Sequence, residues 1–169
     1  MAPLPKPLNI QASPTSVGKV APAFSILVAE DDPNDRLLFK LAFEEAGVRA
    51  SVRFAKHGQQ AINYLLGKPP FDNRLESPPP ALLLLDLKMP VKDGFEVLDW
   101  LRFQPGLSNL VVIVLSSSNQ LTDMARARSL GARHFLVKPG SLPELILLVR
   151  NLETLCRTLL PRVAKSSSS

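Results

Sequence analysis

Short apolar runs alternate with segments of helical period along most of the chain. Residues 26–29 are apolar throughout and predict a first strand; a helix over 33–46 follows, opened by Pro33 at a first-turn position and stopped by Gly47. Its apolar face is expected to be Leu37, Leu38, Leu41 and Ala42. Residues 51–55 predict a half-buried strand, and 59–66 place Ile62, Leu65 and Leu66 at helical spacing before Gly67. Residues 68–80 hold Pro69, Pro70, Pro78, Pro79 and Pro80 and no clean period, longer than an ordinary connection, which marks a loop with a role of its own. Residues 81–85 are apolar at every position, as a middle strand covered on both faces requires, and end at Asp86. A helix over 94–103 turns Phe95, Leu98 and Leu101 inward, and 110–115 form a fourth apolar strand running into Ser116, Ser117 and Ser118. A helix over 121–130 ends at Gly131, a short strand over 133–137 leads to Lys138 and Pro139, and a last helix over 142–160 buries Leu142, Leu145, Val149 and Leu152.

Five strand–helix units with no second run of strands predict an α/β fold with an open, doubly wound five-stranded parallel sheet. Right-handed crossovers put every strand's carboxyl end on one edge, and ligands bind there, where the strand order reverses. The domain is expected over residues 24–160. Residues 1–23 hold Pro3, Pro5, Pro7, Pro14 and Pro22 among small and polar residues and predict a flexible arm. Residues 161–169, after Pro161 and ending in four serines, predict a short disordered tail.

Composition narrows the class. At 169 residues, 46% hydrophobic and 21% charged, the chain can bury one sizeable core, which excludes a disordered or fibrous protein. No apolar run approaches the roughly 18 residues of a membrane span and no signal pattern opens the chain, so a soluble cytoplasmic protein without a membrane partner is expected. Cys156 is the only cysteine and, with His57 and His134, builds neither a disulfide nor a zinc site; it is expected in the core. The net charge of +5 suggests nucleic acid only until the charges are placed. Lys6, Lys19, Arg162 and Lys165 lie in ends that hold no acid, so of the 20 bases 16 remain in 24–160 against all 15 acids, a net +1. Direct DNA binding is not expected.

The chemistry sits at the strand ends: Glu30 and Asp31 after the first, Asp86 after the third, Ser116 after the fourth, Lys138 after the fifth. Converging on one edge, three carboxylates would repel and raise each other's pKa unless a cation offset them. A set rich in oxygen and free of sulfur and histidine suits a hard dication such as Mg²⁺. A carboxylate beside such an ion, with an ammonium and a hydroxyl aimed at the same place, is a phosphoryl-transfer arrangement, and Asp86 is then the nucleophile candidate. No phosphate-cradling glycine loop is present, so the donor must come from elsewhere. Asp32 is expected to cap the first helix. Pro139 fixes a turn at Lys138 and allows a cis peptide bond there. His57 and His134 are expected to face solvent without partners, and Tyr64 and Trp100 to contribute packing.

Taken in order, ILVAEDD at 26–32, LLLLDLKMP at 82–90 with DG at 93–94, VLSSS at 114–118, GA at 131–132 and LVKP at 136–139 resemble a two-component response regulator receiver domain of the CheY-like kind, over about residues 24–155. The resemblance implies a (βα)5 flavodoxin/CheY-like fold with strand order 2-1-3-4-5. It implies that Asp86 accepts phosphate from a phosphohistidine of a sensor histidine kinase or a histidine phosphotransfer protein. Asp31, with Glu30 acting largely through water, would hold Mg²⁺ together with Asp86 and the main-chain carbonyl of Lys88. Lys138 would pair with the acyl phosphate, Ser116 would reach a phosphoryl oxygen, and Phe135 would occupy the aromatic switch position. Lys88 and Ser118 would flank the path of the hydrolytic water. Such a protein is not an enzyme beyond catalysing its own phosphorylation and dephosphorylation.

Nine residues after the last helix leave no room for an output domain, so a single-domain regulator is expected, signalling through its fourth helix, fifth strand and fifth helix to an unknown output protein or by phosphorelay. The 67–80 loop is similar to that of small regulators partnering phytochrome-type or hybrid sensor kinases, some of which homodimerise through the last strand and helix. Two other readings stay open: a Mg²⁺-dependent phosphohydrolase with Asp86 as nucleophile, and a pseudo-receiver that acts by contact alone. The first would want a second acid two residues on, where Lys88 stands; the complete acid pocket argues against the second.

Overall fold

A computed structural model describes residues 24–159. The arm expected over 1–23, the tail over 161–169 and residue 160 lie outside the described residues. The strands are β1 (Phe24–Ala29), β2 (Ala50–Ala55), β3 (Leu82–Leu85), β4 (Val111–Ser116) and β5 (His134–Val137); the helices are α1 (Pro33–Ala46), α2 (Gly58–Leu66), α3 (Gly94–Leu101), α4 (Leu121–Ser129) and α5 (Leu142–Leu159). All neighbouring strands run parallel in the order β2-β1-β3-β4-β5. The fold is thus the CheY-like doubly wound sheet. α3 stops two residues before the expected end, and a 3₁₀ turn over Pro105–Leu107 follows it.

The two faces of the sheet carry separate cores. Leu27, Leu83, Leu85 and Val114 pack with residues of α2, α3 and α4, while Ile26, Val28, Leu82, Leu84, Ile113 and Leu115 pack with α1 and α5. Alternation along each strand sends successive side chains to opposite faces, so β3, buried at all four positions, must be apolar throughout. In α5, Leu145, Val149, Leu152 and Cys156 are buried, and Leu142 is half-buried. Burial pushes the Cys156 thiol up to about 11, which keeps it an unreactive core group.

The buried face of α1 differs from the expected one. Leu37, Leu38 and Leu41 are 55%, 40% and 38% exposed, whereas Phe39, Ala42 and Phe43 are buried. The helix offers two apolar stripes, and the one turned inward pairs two rings with a small residue that lets the backbone approach the sheet. Leu66 in α2 is likewise exposed while Ile62 and Leu65 are buried.

The proline-rich loop is tied down by Arg74. Its guanidinium donates to the carbonyls of Tyr64 at 2.9 Å, which also accepts from the capping Gly67 N–H, and Leu65 at 3.0 Å, both in the last turn of α2, and to Ser77 O at 3.2 Å. The Tyr64 hydroxyl donates to Pro78 O at 3.1 Å and the Ser25 hydroxyl to Pro79 O at 2.6 Å. These bonds deliver the chain to the start of β3.

Candidate functional site

Parallel pairing sets every strand's carboxyl end on one edge, and backbone bonds beyond the strands carry that register into the loops. Glu30 N donates to Ala55 O at 2.9 Å, Asp86 N to Ala29 O at 3.0 Å, and Lys138 N to Ser116 O at 2.9 Å. Residues more than 100 positions apart in sequence thereby share one rim.

The side chains of four expected residues meet there. Lys138 Nζ lies 2.6 Å from Glu30 Oε2 and 2.8 Å from Asp86 Oδ2. Glu30, Asp31 and Asp86 each offer a carboxylate oxygen within 4.8 Å of the others. Lys138 also lies 2.9 Å from Oδ2 of Asp35, in the first turn of α1, a residue the sequence reading did not single out. Its signal was present: Asp35 lies one helical turn beyond Asp31, on a helix whose first turn must face the rim.

The pocket is pinned by main-chain donors. Lys88 N donates to Asp86 Oδ1 at 3.2 Å and Asp32 N to Glu30 Oε1 at 3.2 Å. Arg36 on α1 donates to the carbonyls of Glu30 at 2.9 Å and Asp31 at 2.5 Å, which fixes the backbone that carries both acids. Asp32 caps α1 as expected, accepting from Asn34 N and Asp35 N. α3 begins directly behind Asp86. Gly94 N donates to Leu87 O at 2.9 Å, and a Cβ at Gly94 would stand 2.3 Å from Asp86 O. Only glycine permits that approach.

Glu30 is buried with its carboxylate, and burial holds its pKa above the ordinary glutamate value against the lowering effect of Lys138. Burial would by itself lower the Lys138 ammonium, but hydrogen bonds to Asp86, Glu30 and Asp35 outweigh it and hold the group above the ordinary lysine value. Four acids face one ammonium, so the pocket keeps an excess of negative charge.

Ser116 is fully buried at the end of β4, and its hydroxyl oxygen accepts from Ser118 N at 3.3 Å. Ser118 in turn donates to Asp123 Oδ2 at 2.6 Å, which joins this loop to the first turn of α4. Phe135 is buried on β5, and Lys88 is exposed. Two expectations need correction. The Lys138–Pro139 bond is trans; the cis bond among the described residues is Pro69–Pro70. His57 is a capping residue instead of a free surface group, its Nδ1 accepting from Gln60 N at 3.1 Å, because α2 starts with glycine and its first amides need an acceptor. His134 is exposed, as expected. No helix of the described residues is long and apolar enough to cross a membrane.

Comparison with known proteins agrees with this fold. Residues 26–150 match the family model of the response regulator receiver domain. The chain is 30% identical over 129 residues to response regulator Rcp1 of Synechocystis, spanning 76% of this chain and 86% of that one. The solved Mn²⁺-bound form of Rcp1 superposes with a TM-score of 0.68 at 30% identity, over 78% of this chain and 92% of that chain. Response regulator RPA3017, in red light signaling of R. palustris, gives a TM-score of 0.72 at 34% identity, over 86% and 99% of the two chains. The phosphorylated cyanobacterial phytochrome response regulator RcpA gives 0.73 at 29% identity, over 82% and 96%.

Proposed function

The chain belongs to the response regulator receiver domain family, and from that premise we propose that it is a cytoplasmic phosphoacceptor signalling module in which Asp86 receives a phosphoryl group from a phosphohistidine of a sensor histidine kinase or phosphotransfer protein. The observation that carries the reading is Lys138 bonded at once to Asp86 and Glu30 beside the three-carboxylate group.

In the transfer, an Asp86 carboxylate oxygen forms a bond to phosphorus while the P–N bond breaks, and its electron pair stays on the histidine ring. Lys88 N and Lys138 Nζ hold the two Asp86 oxygens in place for this attack. The donor set fits Mg²⁺: it is all oxygen, lies within 4.8 Å, and carries more negative charge than Lys138 offsets. Glu30, Asp31, Asp86 and the Lys88 carbonyl would hold the ion, which supplies positive charge to the phosphoryl oxygens when bound. Lys138 provides the second cation, and Ser116 a hydroxyl. Once Ser116 and Lys138 turn to the new oxygens, the β4–α4 loop and Phe135 change state, and the face formed by α4, β5 and α5 reads this out by protein contact or phosphorelay.

A phytochrome-type kinase is favoured by the red-light and phytochrome regulators among the structural neighbours. β5 is an edge strand, and Val137 and Leu147 stand exposed on β5 and α5, which suits a homodimer there. The test is incubation with Mg²⁺ and acetyl phosphate followed by intact-mass measurement. One stable phosphoryl on the wild type and none on Asp86→Asn supports the reading. Rapid donor turnover without adduct would make the protein a phosphohydrolase, and no reaction a contact-only module.

A further inference from the structure

The ammonium of Lys138 has three N–H donors, and in this structure all three are engaged: by Glu30 at 2.6 Å, Asp86 at 2.8 Å and Asp35 at 2.9 Å. A phosphoryl oxygen arriving on Asp86 can bond this ammonium only if one present partner lets go. The three partners differ in what release would cost. The Glu30 side chain is 2% exposed and pinned by a main-chain amide, so water cannot replace the ammonium there, whereas the Asp86 oxygen, 6% exposed, is carried into the acyl phosphate and stays beside Lys138. The Asp35 side chain is 37% exposed and, among the described residues, Lys138 is its sole side-chain hydrogen-bond partner. Water can take over its oxygens at once.

We propose that Asp35 is the exchangeable partner of Lys138, a positioning residue that holds the ammonium while Asp86 is unmodified and yields it to the incoming phosphoryl group. Asp35 thereby competes with the product. It favours the unphosphorylated state by the worth of one half-exposed ion pair and retains Lys138 close to Asp86 between turnovers. The pairing also ties the chemistry to α1, since the bond that breaks joins β5's end to that helix's first turn. The inference rests on the phosphoacceptor reading of Asp86.

Phosphorylation of the full chain by acetyl phosphate with Mg²⁺ tests it, the new Asp86–phosphorus bond replacing the phosphorus–oxygen bond of the donor as acetate leaves with the electron pair. Asp35→Asn is expected to phosphorylate about fivefold faster than the wild type, the factor that one half-exposed pair is worth. The gain should persist at 0.5 M salt, on the order of a 4 Å Debye length, because the pair is in direct contact, and Asp35→Glu should return the rate to that of the wild type. In the wild type, adding beryllofluoride should move the Asp35 side-chain carbon resonance toward that of a solvated carboxylate. A rate unchanged or lowered in Asp35→Asn, a gain that vanishes in salt and so reflects only attraction of an anionic donor, or an Asp35 resonance indifferent to beryllofluoride would each overturn the proposal while leaving Asp86 as acceptor intact. Failure of the wild type itself to take up phosphoryl would remove both readings together.

Discussion

Replacing Lys138 with methionine removes the ammonium and keeps an unbranched stem of similar length, so the change isolates the charge. In the native pocket Nζ lies 2.6 Å from Glu30 and 2.8 Å from Asp86. At an effective dielectric of about 20, a contact pair of that length attracts by about 6 kcal/mol, and two like charges no more than 4.8 Å apart, as the acids are, repel by at least about 3.5 kcal/mol. The substitution deletes the attraction and leaves the repulsion. Solvent entry and side-chain relaxation bring the net loss to about 3–5 kcal/mol, the usual cost of leaving a buried charge without its partner. Asp35, more than a third exposed, adds little.

The loss should depend on pH in a defined direction. Burial already holds the Glu30 carboxyl above its ordinary value, with Lys138 lowering it only in part. Without Lys138 only the Asp32 N–H bond is left to lower it, and the folded-state pKa rises further. A carboxyl whose folded pKa exceeds its unfolded pKa binds protons more readily in the folded state, so the variant gains stability as pH falls through that raised value. The native Lys138 contribution behaves oppositely: it is fully present below the unfolded lysine pKa and is lost only as strongly alkaline pH passes the raised folded value. Urea unfolding followed by circular dichroism, without divalent cations, at pH 7.5 and pH 5.5 reads both effects. The expected deficit of about 3–5 kcal/mol at the higher pH should shrink by about 1 kcal/mol or more at the lower. A deficit below about 1 kcal/mol, or one equal at the two pH values, would refute the picture of a buried, Lys138-compensated cluster.

Mg²⁺ should stabilise the folded chain by about 2.7 kcal/mol at one hundred times its dissociation constant, and Asp31→Asn should flatten that response; thermal unfolding across a Mg²⁺ titration measures both. Gly94→Ala would force a methyl to 2.3 Å from Asp86 O, backbone that cannot step aside, so it should cost about 1–3 kcal/mol in urea unfolding and slow phosphorylation of Asp86. Val91, in the loop between Asp86 and α3, holds φ at +66° although it is β-branched and exposed. Val91→Gly relieves about 1–2 kcal/mol of left-handed strain against about 0.5–1 kcal/mol of added chain entropy, so a small net rise in unfolding midpoint is expected.

The hydrophobic pattern was sufficient for the architecture because strands buried on both faces, such as Leu82–Leu85, must be apolar at every position, and the helices between them must carry stripes. The strand ends were legible for the same reason: a polar residue interrupting such a run, as Asp86 does, marks where the sheet reaches its rim. The pattern could not choose between the two stripes of α1, since Leu37 and Leu41 are as apolar as Phe39 and Phe43; the choice came from which stripe fits against β1 and β3. It also could not show that Asp35 and Lys138, 103 positions apart, share an ion pair, or that His57 closes the first turn of α2. Periodicity is a local property that reports on burial, whereas ion pairing and capping depend on distances of a few ångströms between distant or oriented groups. Those distances exist only once the sheet has assembled and the helices have been set against it.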